Sequence, residues 1–377
     1  MLIAMNNKNE RIAICAYPIK DLIQLKKEKW TCPSCKEPVF MKVGTAKQPH
    51  FSHYRQGKCQ TFSEGETPEH LAGKQLLAQW FELQQIPYQL EASLSTIQQR
   101  PDILIYEKKQ PIAIEFQCSP LSANKMQERT QGYLKNGYAV IWIVGKKLTP
   151  INKLSSLQRQ FISYQKKVGF YLFSLDIEQQ KIVRYSQIVT NFNERISHQT
   201  IQTTFPLTGS KHQSFQNLMM PSQKVPIKKD EFTIKNIKQQ QKKLSKALYY
   251  GNKQHLIVQE KLYMQHLHAL YLPVEAYFPL ADSPIIRTPA YYWHSLLLLR
   301  LFHLGAGHLL ELKELKKWWQ KKVLAAEIQY YPLPLIQRKP FVSLERYLHF
   351  LQQLGVIKAE KKDEYRVTEK IQWLFTQ

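Results

Sequence analysis

The chain has 377 residues, with 53 Lys and Arg against 29 Asp and Glu, a formal net charge of +24 and 44% hydrophobic residues. That length suits two or three domains, and the apolar share excludes wholesale disorder. A balance this basic points to a polyanion, with nucleic acid first and a membrane surface second. No run of ~18 apolar residues occurs that could span a bilayer; Ser295 to Leu304 comes nearest and is far too short. Asn7, Lys8, Asn9 and Glu10 stand where a secretion signal needs an apolar core. The expectation is a cytoplasmic protein with no membrane insertion.

Of the five cysteines, Cys32, Cys35 and Cys59 cluster, while Cys15 and Cys118 sit inside apolar runs. This suits a reducing compartment with one metal site better than a disulfide framework. The chain begins with a strand-like run from Ile12 to Tyr17 and a basic connection from Pro18 to Lys29. Cys32-Pro33-Ser34-Cys35 then spaces two thiolates so that both reach one tetrahedral ion. A second strand-like run, Pro38 to Val43, ends at Gly44 and leads to His50-Phe51-Ser52-His53 and Cys59. Two of His50, His53 and Cys59 would complete a structural Zn²⁺ site. The histidines are only three apart, so a compact ribbon or knuckle over residues 1–62 describes the module better than a two-Cys, two-His finger. A reactive dithiol is the competing reading.

From Glu66 the pattern turns helical. Thr67 and Pro68 fit a helix start, and Leu71, Leu76, Leu77, Trp80 and Phe81 supply an apolar side. Glu66, His70 and Lys74 recur at i, i+4 and i+8 and so share a face; the alternative is a solvated Glu-to-Lys face. After Tyr88 to Glu91 comes QRPDILIYEKKQPIAIEFQCSP, residues 99–120. Its apolar runs, Ile103 to Tyr106 and Pro111 to Cys118, flank the polar turn Glu107 to Gln110 and read as a β-hairpin. Alternation places Ala113, Glu115, Gln117 and Ser119 on one face, with Asp102 across from Glu115. Two carboxylates and an amide on one face make a cradle for a hard divalent cation. A solvated sheet face that happens to carry Glu and Gln is the other reading.

Asn124 to Lys135 is a polar helix candidate bearing Arg129 and Tyr133, and Tyr138 to Gly145 reads as a strand buried on both faces. Val168 to Ile177 and Lys181 to Val189 suggest another hairpin. Residues 191–252 are rich in Ser, Thr, Gln and Lys and read as a basic linker, in part helical from Thr233 onwards. Residues 253–377 read as mainly helical, ending in a helix and small hairpin of winged-helix-like order.

The acidic helix, Pro101-Asp102 and Glu115-x-Gln117 resemble the restriction-endonuclease-like nuclease core, whose signature is PD followed by (D/E)xK. More closely, the strings CPSC, HFSH, ETPEHLAGKQLL, RPDILIY, AIEFQCSPLS and ERTQGYLKNGYAVIWIVG resemble the competence protein CoiA family. The resemblance implies an α/β fold: a restriction-endonuclease-like core over residues 63–190, a zinc-ribbon-like N-terminal module and an α-helical C-terminal domain. It implies catalysis by Asp102, Glu115, Gln117, Lys74, Glu66 and His70, with Mg²⁺ or Mn²⁺ on Asp102 and Glu115. Arg129 and Tyr133 are then expected near the DNA backbone. The implied role is in natural transformation, on single-stranded DNA and alongside the RecA recombinase. One departure stands out: Gln117 occupies the lysine position of the signature and carries no charge. Lys74 is the expected substitute, its ammonium reaching the gap beside Gln117. Two rival readings are a non-catalytic DNA-binding mediator of RecA-type recombination and a zinc-dependent transcriptional regulator using the tail.

Overall fold

The computed structural model describes residues 1–44, 48–54, 67–106, 110–190, 195–204, 234–278 and 284–368. Cys59 and Glu66, both expected at sites, lie outside the described residues.

The N-terminal module is a five-stranded antiparallel sheet in the order β2-β1-β3-β4-β5. Its strands are β1 (Ile3–Met5), β2 (Arg11–Ala13), β3 (Trp30–Thr31), β4 (Pro38–Lys42) and β5 (His50–His53). Trp30, Val39, Met41 and Phe51 form its small core. Two expectations change here. The strand foreseen from Ile12 is shorter and turns into a 3-10 helix at Ile14–Ala16. The basic connection contains helix α1 (Ile19–Leu25), which buries Leu22 in the core and packs Leu25 against it.

The central part is mixed α/β. Helix α2 (Pro68–Leu83) starts where Thr67 accepts the His70 N–H, a side-chain cap strengthened by proline at the first helical position. Strands β6 (Tyr88–Leu90), β7 (Ile103–Tyr106) and β8 (Pro111–Gln117) follow, then α3 (Ala123–Lys135) and β9 (Ala139–Val144). The chain continues through the short α4 (Ser156–Arg159) to β10 (Ser163–Gln165), β11 (Gly169–Asp176), β12 (Lys181–Thr190) and β13 (Ile196–Thr204). The sheet runs β13-β12-β11-β9-β8-β7-β6, with β10 on β11. Strands β7 and β8 pair antiparallel with Ile103 opposite Ile114, the hairpin register foreseen from alternation. Strand β9 joins β8 in parallel after the crossover through α3.

A strand in that central position must be covered on both faces. Ile103, Ile114 and Phe116 pack under Leu77, Trp80 and Phe81 of α2. On the opposite face Met126 of α3 packs with Trp142 and Val144 of β9. From Ile112 to Gln117 every residue of β8 is buried, which overturns the solvated-face reading of Glu115 and Gln117. Helix α2 comes so close that a Cβ on Gly73 would fall 2.0 Å from the Phe116 ring. Glycine there lets the His70–Lys74 turn reach the strand ends.

The stretch read as a linker is shorter than expected. Strand β13 pairs along its length with β12, and α5 (Ile234–Tyr249) buries Ile237 and Leu244 in the C-terminal core. Polar Ser, Thr and Gln mislead here because Ile196 and Ile201 are the strand's only apolar residues, and they are what pack against the cores. The C-terminal part adds α6 (Lys253–Tyr263), α7 (Ala290–Leu304), α8 (Leu312–Leu324) and α9 (Val342–Gln353). Its small sheet orders β14 (Leu309–Glu311), β16 (Glu364–Val367) and β15 (Ile357–Lys361) as β14-β16-β15. Among the described residues no helix is long and apolar enough to cross a membrane.

Candidate active site

The site forms at the end of the β7–β8 hairpin, where residues from both helical layers reach the same strand ends. Asp102 precedes β7 at the position facing Glu115, one step beyond the last ladder pair. Its Oδ2 accepts the Phe116 backbone N–H at 2.8 Å and lies 2.9 Å from His70 Nε2. Its Oδ1 is 3.9 Å from the Lys74 ammonium. Burial works against the Asp102 charge, but His70, Lys74 and the Phe116 N–H together hold the carboxyl well below the ordinary range.

Glu115, 2% exposed, is served from the other layer. Helix α3 buries Met126, Thr130 and Tyr133 along one stripe. The Tyr133 hydroxyl donates to Glu115 Oε1 at 2.6 Å and Arg129 Nη2 donates to Oε2 at 2.5 Å. The Arg129 guanidinium also lies over the Trp142 ring, 5.3 Å from its centroid. Burial pushes the Glu115 carboxyl up to about 7; Arg129 opposes the shift and the neighbouring Asp102 charge adds to it. Tyr133 is fully buried, so the expectation that it contacts the DNA backbone is corrected: it faces Glu115. Arg129 keeps about a third of its side chain exposed, at 33%, and still borders solvent.

Two further expectations change. Lys74 does not extend beside Gln117; it is fully buried and donates to Glu91 Oε1 at 2.6 Å. The buried Glu91 carboxylate captures it. Gln117 turns its amide to the Ser119 carbonyl, 2.9 Å away. Glu91 itself was missed by sequence reasoning. It receives the Leu2 and Ile3 N–H groups at 2.8 and 3.3 Å, and Arg100 Nη1 lies 3.7 Å from its other oxygen. Burial opposes its charge, yet Lys74 and Arg100 hold it well below the ordinary carboxylate range. Its φ of 48° is the left-handed region that a non-glycine residue rarely adopts. An acidic residue ending a predicted strand was the only signal in the sequence.

The donor chemistry at Asp102 and Glu115 fits a hard divalent cation, since it consists of carboxylate oxygens. Asp102 Oδ1 and the second lone pairs of the Glu115 oxygens are what the hydrogen bonds above leave for it. A different donor set lies in the N-terminal module. Cys32, Cys35 and His53 bring one ligand atom each within 4.8 Å of one another, the one such group of three or more among the described residues. Cys35 Sγ is 3.3 Å from His53 Nε2. Strands β4 and β5 place His53 opposite Val39, so the ladder carries the histidine back to the Cys turn. His50 is outside this group, its Nδ1 2.9 Å from the Gln48 carbonyl oxygen. Thiolates and imidazole at this spacing suit zinc, with a fourth ligand required.

Three models of one family tile this chain. The competence protein CoiA N-terminal domain matches residues 14–62, its nuclease-like domain residues 66–223, and its C-terminal domain residues 227–375. The Competence protein CoiA of Bacillus subtilis (strain 168) is 24% identical over 355 residues, covering 91% of this chain and 90% of that protein. No solved structure matches. With the strings around Cys32, Asp102 and Glu115 all inside matched segments, the chain belongs to the competence protein CoiA family.

Proposed function

We propose that this chain is a divalent-cation-dependent deoxyribonuclease, hydrolysing phosphodiesters of DNA taken up during competence. The carrying observation is the pair Asp102 and Glu115, at facing positions of neighbouring strands, ringed by His70 and Lys74 from α2 and Arg129 and Tyr133 from α3. Membership of a competence family with a nuclease-like domain supports the process, and the +24 charge supports the polyanionic substrate.

Asp102, kept ionised by its three neighbours, is a ready oxygen ligand, and Glu115 would release its proton to solvent on ligating a cation. Mg²⁺ or Mn²⁺ held there would polarise the phosphate and lower the pKa of the attacking water. His70 fixes the orientation of Asp102, and Arg129, part-exposed beside Glu115, is the site's cation nearest solvent for a phosphate oxygen. Lys74 acts through Asp102 and Glu91 and does not itself reach the phosphate, so it is a positioning residue. Cys32, Cys35 and His53 would hold a structural zinc; about one zinc per chain is expected by elemental analysis, lost in Cys35→Ser.

The second reading, a non-catalytic DNA-binding mediator of RecA-type recombination, is favoured by one observation. Gln117 stands in the lysine position with its amide turned to Ser119, and Lys74 and Arg129 are both paired with carboxylates. Labelled single- and double-stranded DNA incubated with Mg²⁺, Mn²⁺ or EDTA separates the two. Cleavage only with added metal, abolished by Asp102→Ala with DNA affinity retained, is the expected result. Retained binding with no cleavage under any metal would transfer the function to the mediator.

A further inference from the structure

The C-terminal part presents a surface that the candidate active site does not use. From Phe232 to Gln259 there is no Asp or Glu, while six lysines occur at 235, 238, 242, 243, 246 and 253. Helix α5 is amphipathic: Ile237 and Leu244 face the core, and Lys238, Lys242 and Lys246 are exposed. These three recur at i, i+4 and i+8 and so form one row. Like charges at that spacing weaken a helix by repulsion, a cost that an external anion lying along the row removes.

The row ends in Tyr249 and Tyr250, which are 84% and 79% exposed. Their rings stand edge to face, with centroids 5.2 Å apart. Gly251, at φ 70°, then turns the chain into α6. Scattered exposed apolar residues need no explanation, but two adjacent aromatic rings at the end of a carboxylate-free lysine row are not scattered. Sequence-tolerant binding of single strands combines these two elements: cations that follow the phosphates, and aromatic faces on which bases stack. A duplex keeps its bases inside the stack and can use only the cations. An acidic protein segment would gain from the lysines but has no need of two open phenol rings.

We infer that the α5 face formed by Lys238, Lys242 and Lys246, together with Tyr249 and Tyr250, binds single-stranded nucleic acid. Phosphates lie along the lysine row and bases stack on the tyrosines. This binding needs neither cleavage nor a divalent cation, so it stands or falls independently of the active-site reading.

The test uses the full-length Asp102→Ala protein with no divalent cation added, so that strand integrity is not at issue. Fluorescein-labelled oligo(dT) and its duplex with oligo(dA) are titrated by anisotropy across a salt series. Tyr249→Ala/Tyr250→Ala should weaken single-strand binding at least about fivefold while changing duplex binding less than about twofold. Lys238→Gln/Lys242→Gln/Lys246→Gln should weaken both and reduce the slope of log K against log salt by roughly 2. All five side chains are exposed, and an unchanged melting temperature checks that the variants are folded. Equal losses on both substrates in the tyrosine variant would overturn the stacking role. An unchanged salt slope in the lysine variant would overturn the phosphate row. No effect of either variant on nucleic acid would assign the face to an acidic protein partner and overturn the inference.

Discussion

Glu91 and Glu115 are buried to the same depth, 1% and 2% exposed, yet their charges meet opposite surroundings. Around Glu91 the fold closes: Lys74 and Arg100 on one side, the Leu2 and Ile3 N–H groups on the other. Around Glu115 it stays incomplete: one arginine, one hydroxyl and a neighbouring carboxylate. Burial alone raises a carboxyl; partners decide whether the charge survives. The first arrangement ties the N-terminal module to the central sheet. The second leaves a carboxyl that burial raises despite its arginine, one that a bound cation would help to ionise.

The comparison breaks most readily in stability. Glu91→Ala strands a fully buried ammonium and two backbone donors, so unfolding in urea should show a loss of about 3–5 kcal/mol. Glu115→Gln should cost under about 1 kcal/mol, because the amide still accepts from Tyr133 and Arg129 can turn to water. Equal losses in the two variants would erase the distinction.

The pH dependence sharpens it. Glu91 has a lowered pKa, so its contribution is present above the unfolded carboxylate value and is lost as pH falls. Glu115 has a raised pKa, so its contribution is complete below the unfolded value of 4.5 and is lost as pH rises through about 7. Between those two values the wild type should lose stability relative to Glu115→Gln, by at most about 1.4 kcal/mol per pH unit. Glu91→Gln should instead flatten the acid limb. Urea midpoints collected across pH for the three proteins check both signs.

The smallest effect is expected at Gln117. Gln117→Lys puts a cation where the nuclease signature has one, with the Ser119 carbonyl in reach as an acceptor. Cleavage should rise about tenfold, at some cost in stability because the ammonium enters a buried position. An unchanged rate would show that Arg129 already supplies the charge.

Much of this site was legible in the sequence. Period-two alternation across a short turn specified that Asp102 faces Glu115, and the Thr67-Pro68 start aligned His70 and Lys74 on one face of α2. What was not legible depends on depth. Lys74 reads as a surface or catalytic cation until Glu91, seventeen residues on, is seen to lie under it. Tyr133 reads as a groove residue in a polar helix, although its spacing from Met126 and Thr130 was a usable sign that it faces inward. β13 was hidden by composition, because its two apolar residues, Ile196 and Ile201, make no period-two pattern. The Cys32-x-x-Cys35 turn announced a metal site, but only the β4–β5 ladder selects His53 over His50.

In the proposed function the Asp102–Glu115 pair does chemistry while the equally buried Glu91 only holds the fold. Single-turnover cleavage of end-labelled single-stranded DNA with Mg²⁺ or Mn²⁺, comparing wild type with Glu115→Gln, tests it most directly. The expected result is a loss of at least about 100-fold in rate, with the variant still folded by its cooperative melting transition and with DNA binding retained. Cleavage by Glu115→Gln at the wild-type rate would contradict it.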